Sequence, residues 1–315
     1  LSRVETRVSV SRLWLIQWLA AAVSEVKSMQ NNGIELLNIP MGPGSQDEGD
    51  MVLDYMKMPS EMNSYDIPIL PEAEAVQTCP HAVAAMEKLQ GLLDQYQPGQ
   101  QTQSMLLDAM PDADLDMLNQ ILGEGEVSIA IEGAQPVKVQ ETVMAGVWRL
   151  RTLNVQGDVI AETLEVADIP ACVRESAFRT QRTLEVDPGE MPSGVLNAPS
   201  VLVEIAEASQ AFDGRPPETP HVINLSLLPF SPEDHIHLSE STGTGAVTML
   251  SRGYGNCRIT STEVNGLWRV QYFNSTDQLI LDTLEITDIP AVACAAKEDL
   301  DDSAERLKEI REVLV

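Results

Sequence analysis

Residues 122–171 and 242–291 align with each other at a constant spacing of 120 residues and without a gap. Gly123, Gly125 and Val127 fall on Gly243, Gly245 and Val247, and Gly133 falls on Gly253. Thr142, Gly146, Trp148, Arg149 and Asn154 fall on Thr262, Gly266, Trp268, Arg269 and Asn274. The block closes with Ile160, Thr163, Leu164 and Glu165 over Ile280, Thr283, Leu284 and Glu285, then Asp168-Ile169-Pro170-Ala171 over Asp288-Ile289-Pro290-Ala291. Agreement this dense is gene duplication, and it constrains the fold: whatever unit the first copy forms, the second forms again. Residues common to both copies, among them Trp148, Trp268, Asp168, Asp288, Pro170 and Pro290, are expected to be structural.

The likeness continues upstream more loosely. Pro80 opens the apolar-periodic stretch VAAMEKLQGLL and Pro199 opens VLVEIAEASQAF, both suited to helices with proline in the first turn. Short apolar runs follow (SMLLDAM, VINLSLL), then PDADLDMLNQIL and SPEDHIHLSEST, each with an Asp or Ser placed to start a helix. Inside the aligned block the period drops to two: Val127, Ile129 and Ile131 alternate with polar or small residues, as do Val137 and Val139. Residues 147–153 and 159–166 read similarly, with turns at Gly146 and Gly157. Each copy is therefore predicted to be a helix, a strand, a short helix and about four antiparallel strands, an α+β unit with helices flanking a meander. Asp-Ile-Pro ends the last strand, because proline cannot donate to a ladder. A closing amphipathic helix carries Leu300, Ala304, Leu307, Ile310 and Leu314. The organisation read from this is an N-terminal extension (1–28), an extended arm (29–77), repeat one (78–186) and repeat two (187–315). Two such copies are expected to pack about a pseudo-twofold axis, with a groove between them for a partner.

Charge narrows the function. The chain has 48 acidic and 20 basic residues, a net charge of −28, which repels phosphate backbones and favours basic partners. A nucleic-acid-binding regulator would need a basic surface. No apolar run is long enough to span a bilayer. Four cysteines (Cys79, Cys172, Cys257, Cys294) form neither a disulfide framework nor a CxxC pair, and they fit a reducing compartment. Residues 1–28 differ from the remainder in carrying more basic than acidic side chains, around the apolar run Leu13–Val23. They read as a secretory signal, an amphipathic helix, or translated sequence upstream of a natural start at Met29, the last being favoured. The stretch 33–74, rich in Pro, Gly, Met and acidic residues and punctuated by Met41-Gly42-Pro43-Gly44-Ser45, reads as an arm that packs on the body or binds a partner.

Catalytic motifs are not evident. His235-x-His237 would present two metal ligands on one face of a strand, but copy one has Leu115 and Met117 there, and a surface helix is the better reading. Cys79-Pro80-His81 lies at a helix start without a third ligand or base. The Gly123/Gly125 and Gly243/Gly245 pairs lack the rest of any phosphate loop, and no GxSxG or HExxH stretch occurs. Asp168 and Asp288 form a conceivable acid pair but more simply form turns. No enzyme, metal or cofactor is expected. The copies differ most where copy two has Ser251-Arg252-Gly253-Tyr254-Gly255-Asn256-Cys257-Arg258 and copy one has Ile131-Glu132-Gly133-Ala134-Gln135-Pro136-Val137-Lys138. Arg252, Tyr254, Gly255, Asn256, Cys257 and Arg258 have the composition of a recognition turn, although the glycines alone fit a plain hairpin.

The stretch LSRGYGNCRITST followed by GLWRVQYFNSTDQLILDTLEITDIP resembles the C-terminal region of the HupH/HyaF/HoxQ family of hydrogenase expression proteins. The arm segment IPMGPGSQDEGDMVLDYMKMPSEM, including Gly42, Pro43, Gly44 and Ser45, is similar to that family's N-terminal pattern. The resemblance implies an accessory protein, a chaperone, for maturation of an uptake nickel–iron (NiFe) hydrogenase. As implied by that likeness, the partner is the iron–sulfur small-subunit precursor, bound in the cytoplasm before twin-arginine export, in company with a thioredoxin-like accessory protein. An iron or iron–sulfur carrier using Cys257 with Cys79 or Cys294 is the alternative.

Overall fold

The computed structural model describes residues 70–179, 182–184, 191–252 and 256–314. The expected N-terminal extension and all of the arm before residue 70, with Gly42, Pro43, Gly44 and Ser45, lie outside these residues. In copy one, helices α1 (Ala73–Val76) and α2 (Pro80–Gln95) precede strand β1 (Gln103–Leu106), helix α3 (Asp112–Leu122), strands β2 (Val127–Ile131), β3 (Val137–Glu141), β4 (Val147–Leu153) and β5 (Val159–Val166), and helix α4 (Ala171–Ala177). Copy two repeats the order with α5 (Ala198–Ala211), β6 (His221–Asn224), α6 (Pro232–Thr242), β7 (Val247–Ser251), β8 (Asn256–Ser261), β9 (Leu267–Phe273) and β10 (Leu279–Ile286), then closes with α7 (Lys297–Leu314). This is the predicted α+β unit, written twice.

The copies do not face each other across a groove. They share one sheet of 10 strands in the order β1-β5-β4-β3-β2-β7-β8-β9-β10-β6. Strands β2 and β7 form the seam, antiparallel, and Ile129 pairs with Met249, its own counterpart at the 120-residue spacing. The pseudo-twofold axis therefore runs through that pair. The physical reason is that β2 and β7 are the edges each copy would otherwise leave unpaired.

Both faces of the sheet carry core. On one, Ile129, Val139, Met249, Ile259, Val270, Trp148 and Trp268 join Val173, Ala177 and Ala293 in a cluster that spans both copies. Each indole N–H finds a carbonyl, Trp148 at Ala167 (2.9 Å) and Trp268 at Asp288 (3.1 Å), which explains why tryptophan is tolerated at full burial. On the other face α2 packs over copy one, while Val201, Leu202 and Ile205 of α5 pack against Leu267, Leu284 and Ile286. The shared Gly125 and Gly245 are close-approach glycines: an added Cβ would lie 2.1 Å from the Thr142 carbonyl oxygen and 2.3 Å from Ser261 Oγ.

One matched pair of acids organises the helices. Asp114 accepts from the backbone N–H groups of His81 (2.7 Å) and Ala82 (3.0 Å), at the start of α2. Asp234 accepts from Leu196, Asn197 and Ala198 ahead of α5, and forms a capping box with Ser231 at the start of its own helix. Burial alone would raise the Asp234 pKa, but these four backbone donors hold it well below the usual carboxylate range. Each acid thus serves two helix N-termini, its own and that of the preceding helix, where the macrodipole favours negative charge.

Beyond Asp-Ile-Pro the chain crosses to the other copy. Phe178 stacks edge-on against Trp268 at 5.3 Å, and the Arg182 N–H donates to the Glu263 carbonyl at 2.7 Å. Reciprocally, Ala295 N–H donates to the Asp168 carbonyl, Ser303 Oγ to Ala145, and the Arg306 guanidinium to Val143, the counterpart of Glu263. Asp168 and Asp288, expected as turn-formers, also meet at this crossing: the Arg174 guanidinium donates to both carboxylates. Replacing Arg174 with Met leaves two facing carboxylates without their cation. With the arginine side chain 37% exposed, the expected loss is about 1–2 kcal/mol, read as a shift in the denaturant midpoint.

Candidate functional site

The divergent turn of copy two joins β7 to β8. Residues 253–255, Tyr254 and Gly255 among them, lie outside the described residues, whereas Arg252 and Asn256 on either side are described. Arg252 is half-buried and its N–H donates to the Glu126 carbonyl of copy one at 3.1 Å. Asn256 is exposed, and its side-chain amide donates to Asp277 Oδ1 at 3.1 Å. Asp277 sits at φ 57°, where copy one has Gly157 at φ 89°. Aspartate tolerates that left-handed conformation better than most residues, and here its carboxylate holds the Asn256 side chain. Asn274 Oδ1 closes the same loop by accepting from the Thr276 and Gln278 N–H groups, as Asn154 does in copy one. The Arg258 guanidinium lies 5.8 Å from the centre of the Phe273 ring, a cation–π arrangement that keeps it on the sheet surface. Nearby, Leu279 and Ile280 are 48% and 53% exposed. The corner thus offers cations, an amide and apolar side chains together, chemistry that suits protein recognition.

Cys257 does not belong to that surface. It points to the opposite face of β8, is buried in the core, and pairs across strands with Tyr272. Burial, reinforced by the charge of Glu285, pushes its thiol up to about 12. Strand alternation is the cause: Asn256 and Arg258 face out, so Cys257 between them faces in. The remaining cysteines are also free thiols. Cys79 Sγ donates to the Ala113 carbonyl at 3.6 Å, and burial pushes Cys172 to about 12. His235 and His237 lie on the helix α6, where residues two apart point in different directions; His235 stacks edge-on with Phe230 at 5.2 Å. Among the described residues no group of three or more His, Cys, Asp or Glu side chains is gathered as metal ligands.

The description "HupH hydrogenase expression protein, C-terminal conserved region" belongs to a family model that matches residues 76–181 and, a second time, residues 195–314. The chain belongs to the HupH family. Its relatives include the hydrogenase expression/formation protein HupQ of Azotobacter chroococcum mcd 1, 56% identical over 87% of this chain and 95% of that protein. Another, HoxQ of Azotobacter vinelandii, is 52% identical over 90% of this chain and 99% of that one. The hydrogenase-1 operon protein HyaF of Escherichia coli K12 is 32% identical over 86% and 94%. A solved HupH from Thiobacillus denitrificans is 25% identical, with a TM-score of 0.33, covering 37% of this chain and 94% of that one. Membership of the HupH family places this chain among proteins of hydrogenase maturation. Among its described residues no helix is long and apolar enough to cross a membrane.

Within this HupH-type frame a buried acid lies behind the candidate corner, on the core face with Cys257 and Tyr272. Burial pushes Glu285 up to about 7, and a hydrogen bond from Thr283 only partly offsets this. Its counterpart Glu165 is raised by burial too, and its Oε2 has no hydrogen-bond partner among the described residues. Because the fold penalises the ionised form, Glu285 reduces stability as pH rises from the ordinary carboxylate range through 7. Glu285→Gln is expected to be more stable than the parent at pH above 7 by on the order of 2 kcal/mol, with the gain gone below the ordinary carboxylate range. Denaturation midpoints measured across that range test it.

Proposed function

We propose that this protein is a chaperone for maturation of an uptake nickel–iron hydrogenase, holding the iron–sulfur small-subunit precursor in the cytoplasm before export. The observation that carries the reading is the asymmetry of a symmetric frame. Both copies keep the same strands, tryptophans and Asp-Ile-Pro crossing, yet only copy two builds the corner of Arg252, Asn256, Arg258 and Phe273, and only copy two carries Tyr254 and Gly255 in the intervening sequence. Side chains that the shared scaffold does not require are the ones available for contact. The names of the relatives, as hydrogenase expression/formation proteins, support a role in hydrogenase maturation.

The net charge of −28 suits the basic signal segment of an export precursor, and Gly42, Pro43, Gly44 and Ser45 of the arm supply a second contact. A thioredoxin-like accessory protein would share the complex. The carrier alternative is weaker, because Cys257 is a buried, protonated thiol and a cluster ligand must be a thiolate. No step of the proposed function is catalytic.

Immobilised full chain is expected to capture the small-subunit precursor, and Tyr254→Ala with Arg252→Ala to weaken capture about tenfold or more, as for interface hot spots. If neither the precursor nor a version lacking its signal is retained by the parent chain, the reading is wrong.

A further inference from the structure

The strand register brings together a set of basic side chains on the face of the sheet opposite Trp148 and Trp268. One cross-strand row runs Glu162, Arg151, Lys138, Ala130, Thr248, Thr260, Arg269. The adjacent row runs Arg149, Gln140, Ser128, Leu250, Arg258, Gln271, Asp282. The rows are images of each other under the pseudo-twofold: Lys138 corresponds to Arg258, Arg149 to Arg269, and Glu162 to Asp282. Two adjacent rows thus hold five cations against two carboxylates, in a chain of net charge −28.

The carboxylates sit at the outer ends and are occupied there. Glu162 lies between Arg149 (3.5 Å) and Arg151 (3.3 Å), and Asp282 pairs with Arg269 at 2.6 Å. Asn119 of α3 donates no charge to this arrangement but accepts from Arg149 at 2.6 Å, which places α3 over one end. Among the described residues neither Lys138 nor Arg258 is paired with a carboxylate. They stand on either side of the seam, roughly 14–16 Å apart across three strand spacings.

Among the described residues this central strip is uncovered. Ala130 and Lys138 are exposed, and Ser128, Gln140, Thr248, Leu250, Arg258 and Thr260 are half-exposed, whereas the alternate residues Ile129, Val139, Met249 and Ile259 on the other face are buried. Helices of copy one and copy two flank the strip, so it forms a trough whose floor is small, polar and basic.

We propose that this trough is a docking surface for an acidic segment of a partner protein, seated across the seam between Lys138 and Arg258. Charge complementarity identifies the occupant. A long polyanion such as a nucleic acid would extend past the trough over the acidic remainder of the surface and be repelled there. A short acidic peptide segment ends within it, because repulsion beyond about 8 Å is screened at physiological salt. The pseudo-twofold gives the floor nearly the same pattern in both directions, so the two central cations can be met from either end. The inference goes beyond the small-subunit reading and does not depend on it.

Fluorescence anisotropy of the full chain with a labelled short peptide of alternating glutamate and alanine tests the proposal. The glutamine version of that peptide and a single-stranded oligonucleotide of equal length serve as the other arms. The acidic peptide is expected to bind, more weakly as salt rises, and the glutamine peptide not to. Lys138→Glu, at an exposed position, is expected to lower affinity about tenfold or more, and Ala130→Arg to raise it. Unchanged thermal midpoints show that both variants fold. Absent binding at low salt, binding indifferent to Lys138→Glu, or tighter binding of the oligonucleotide each overturns the proposal. A chain that binds the peptide but not the precursor sinks the chaperone reading alone. One that captures the precursor without Lys138-dependent peptide binding sinks the trough alone.

Discussion

The antiparallel pairing of β2 with β7 is the constraint on which everything else rests. Five residue pairs centred on Ile129 and Met249 turn two five-stranded units into one sheet. A lone copy would leave β2 as an unpaired edge, with its N–H and C=O groups open to association with another chain. Pairing it with the matching strand of the duplicate satisfies those groups and buries the apolar alternation on one side. Each aliphatic side chain so buried contributes about 1.5–3 kcal/mol relative to exposure. The opposite side of the same strands receives the alternate residues, which is why the polar trough exists only because the seam does.

The crossing of the tails depends on that seam. Once the sheets are joined, the segment after each Asp-Ile-Pro lies nearer the loop of the other copy than its own. Copy one sends Phe178 under Trp268, and copy two sends Ser303 and Arg306 to the loop at Val143–Ala145. Arg174 then holds the two motif aspartates together at the crossing. The match is not perfect: Leu300 of copy two covers Gly146, whereas Gly266 is covered by Phe212 from its own copy. Duplication therefore preserved the frame while the outer layers diverged.

Much of this was legible from residue order. Pro80, the alternation of Val127, Ile129 and Ile131, and the shared tryptophans predict the elements because helix and strand periods are local properties. The seam was not legible, since a strand's partner is a long-range choice. Arg174 was invisible because its counterpart is Cys294, so comparing the copies gives no sign of it. The roles of Asp114 and Asp234 were hidden too, because their main partners lie more than thirty residues upstream. At the candidate corner, composition drew Cys257 in with its neighbours, although its phase with Ile259 already assigned it to the buried side. Lys138 and Arg258 looked like ordinary solvent-facing strand residues. Their convergence appears only when the register aligns strands far apart in the chain.

The reciprocal tails set a condition on any single copy built this way. Its loop can be covered only by a tail from a second molecule, so its completeness depends on concentration and on the lifetime of an encounter. Joining the copies in one chain makes that encounter intramolecular, at an effective concentration on the order of millimolar. The fold is then complete in every molecule however dilute the protein, and its two faces are free to differ, since one no longer has to serve as the mirror of the other.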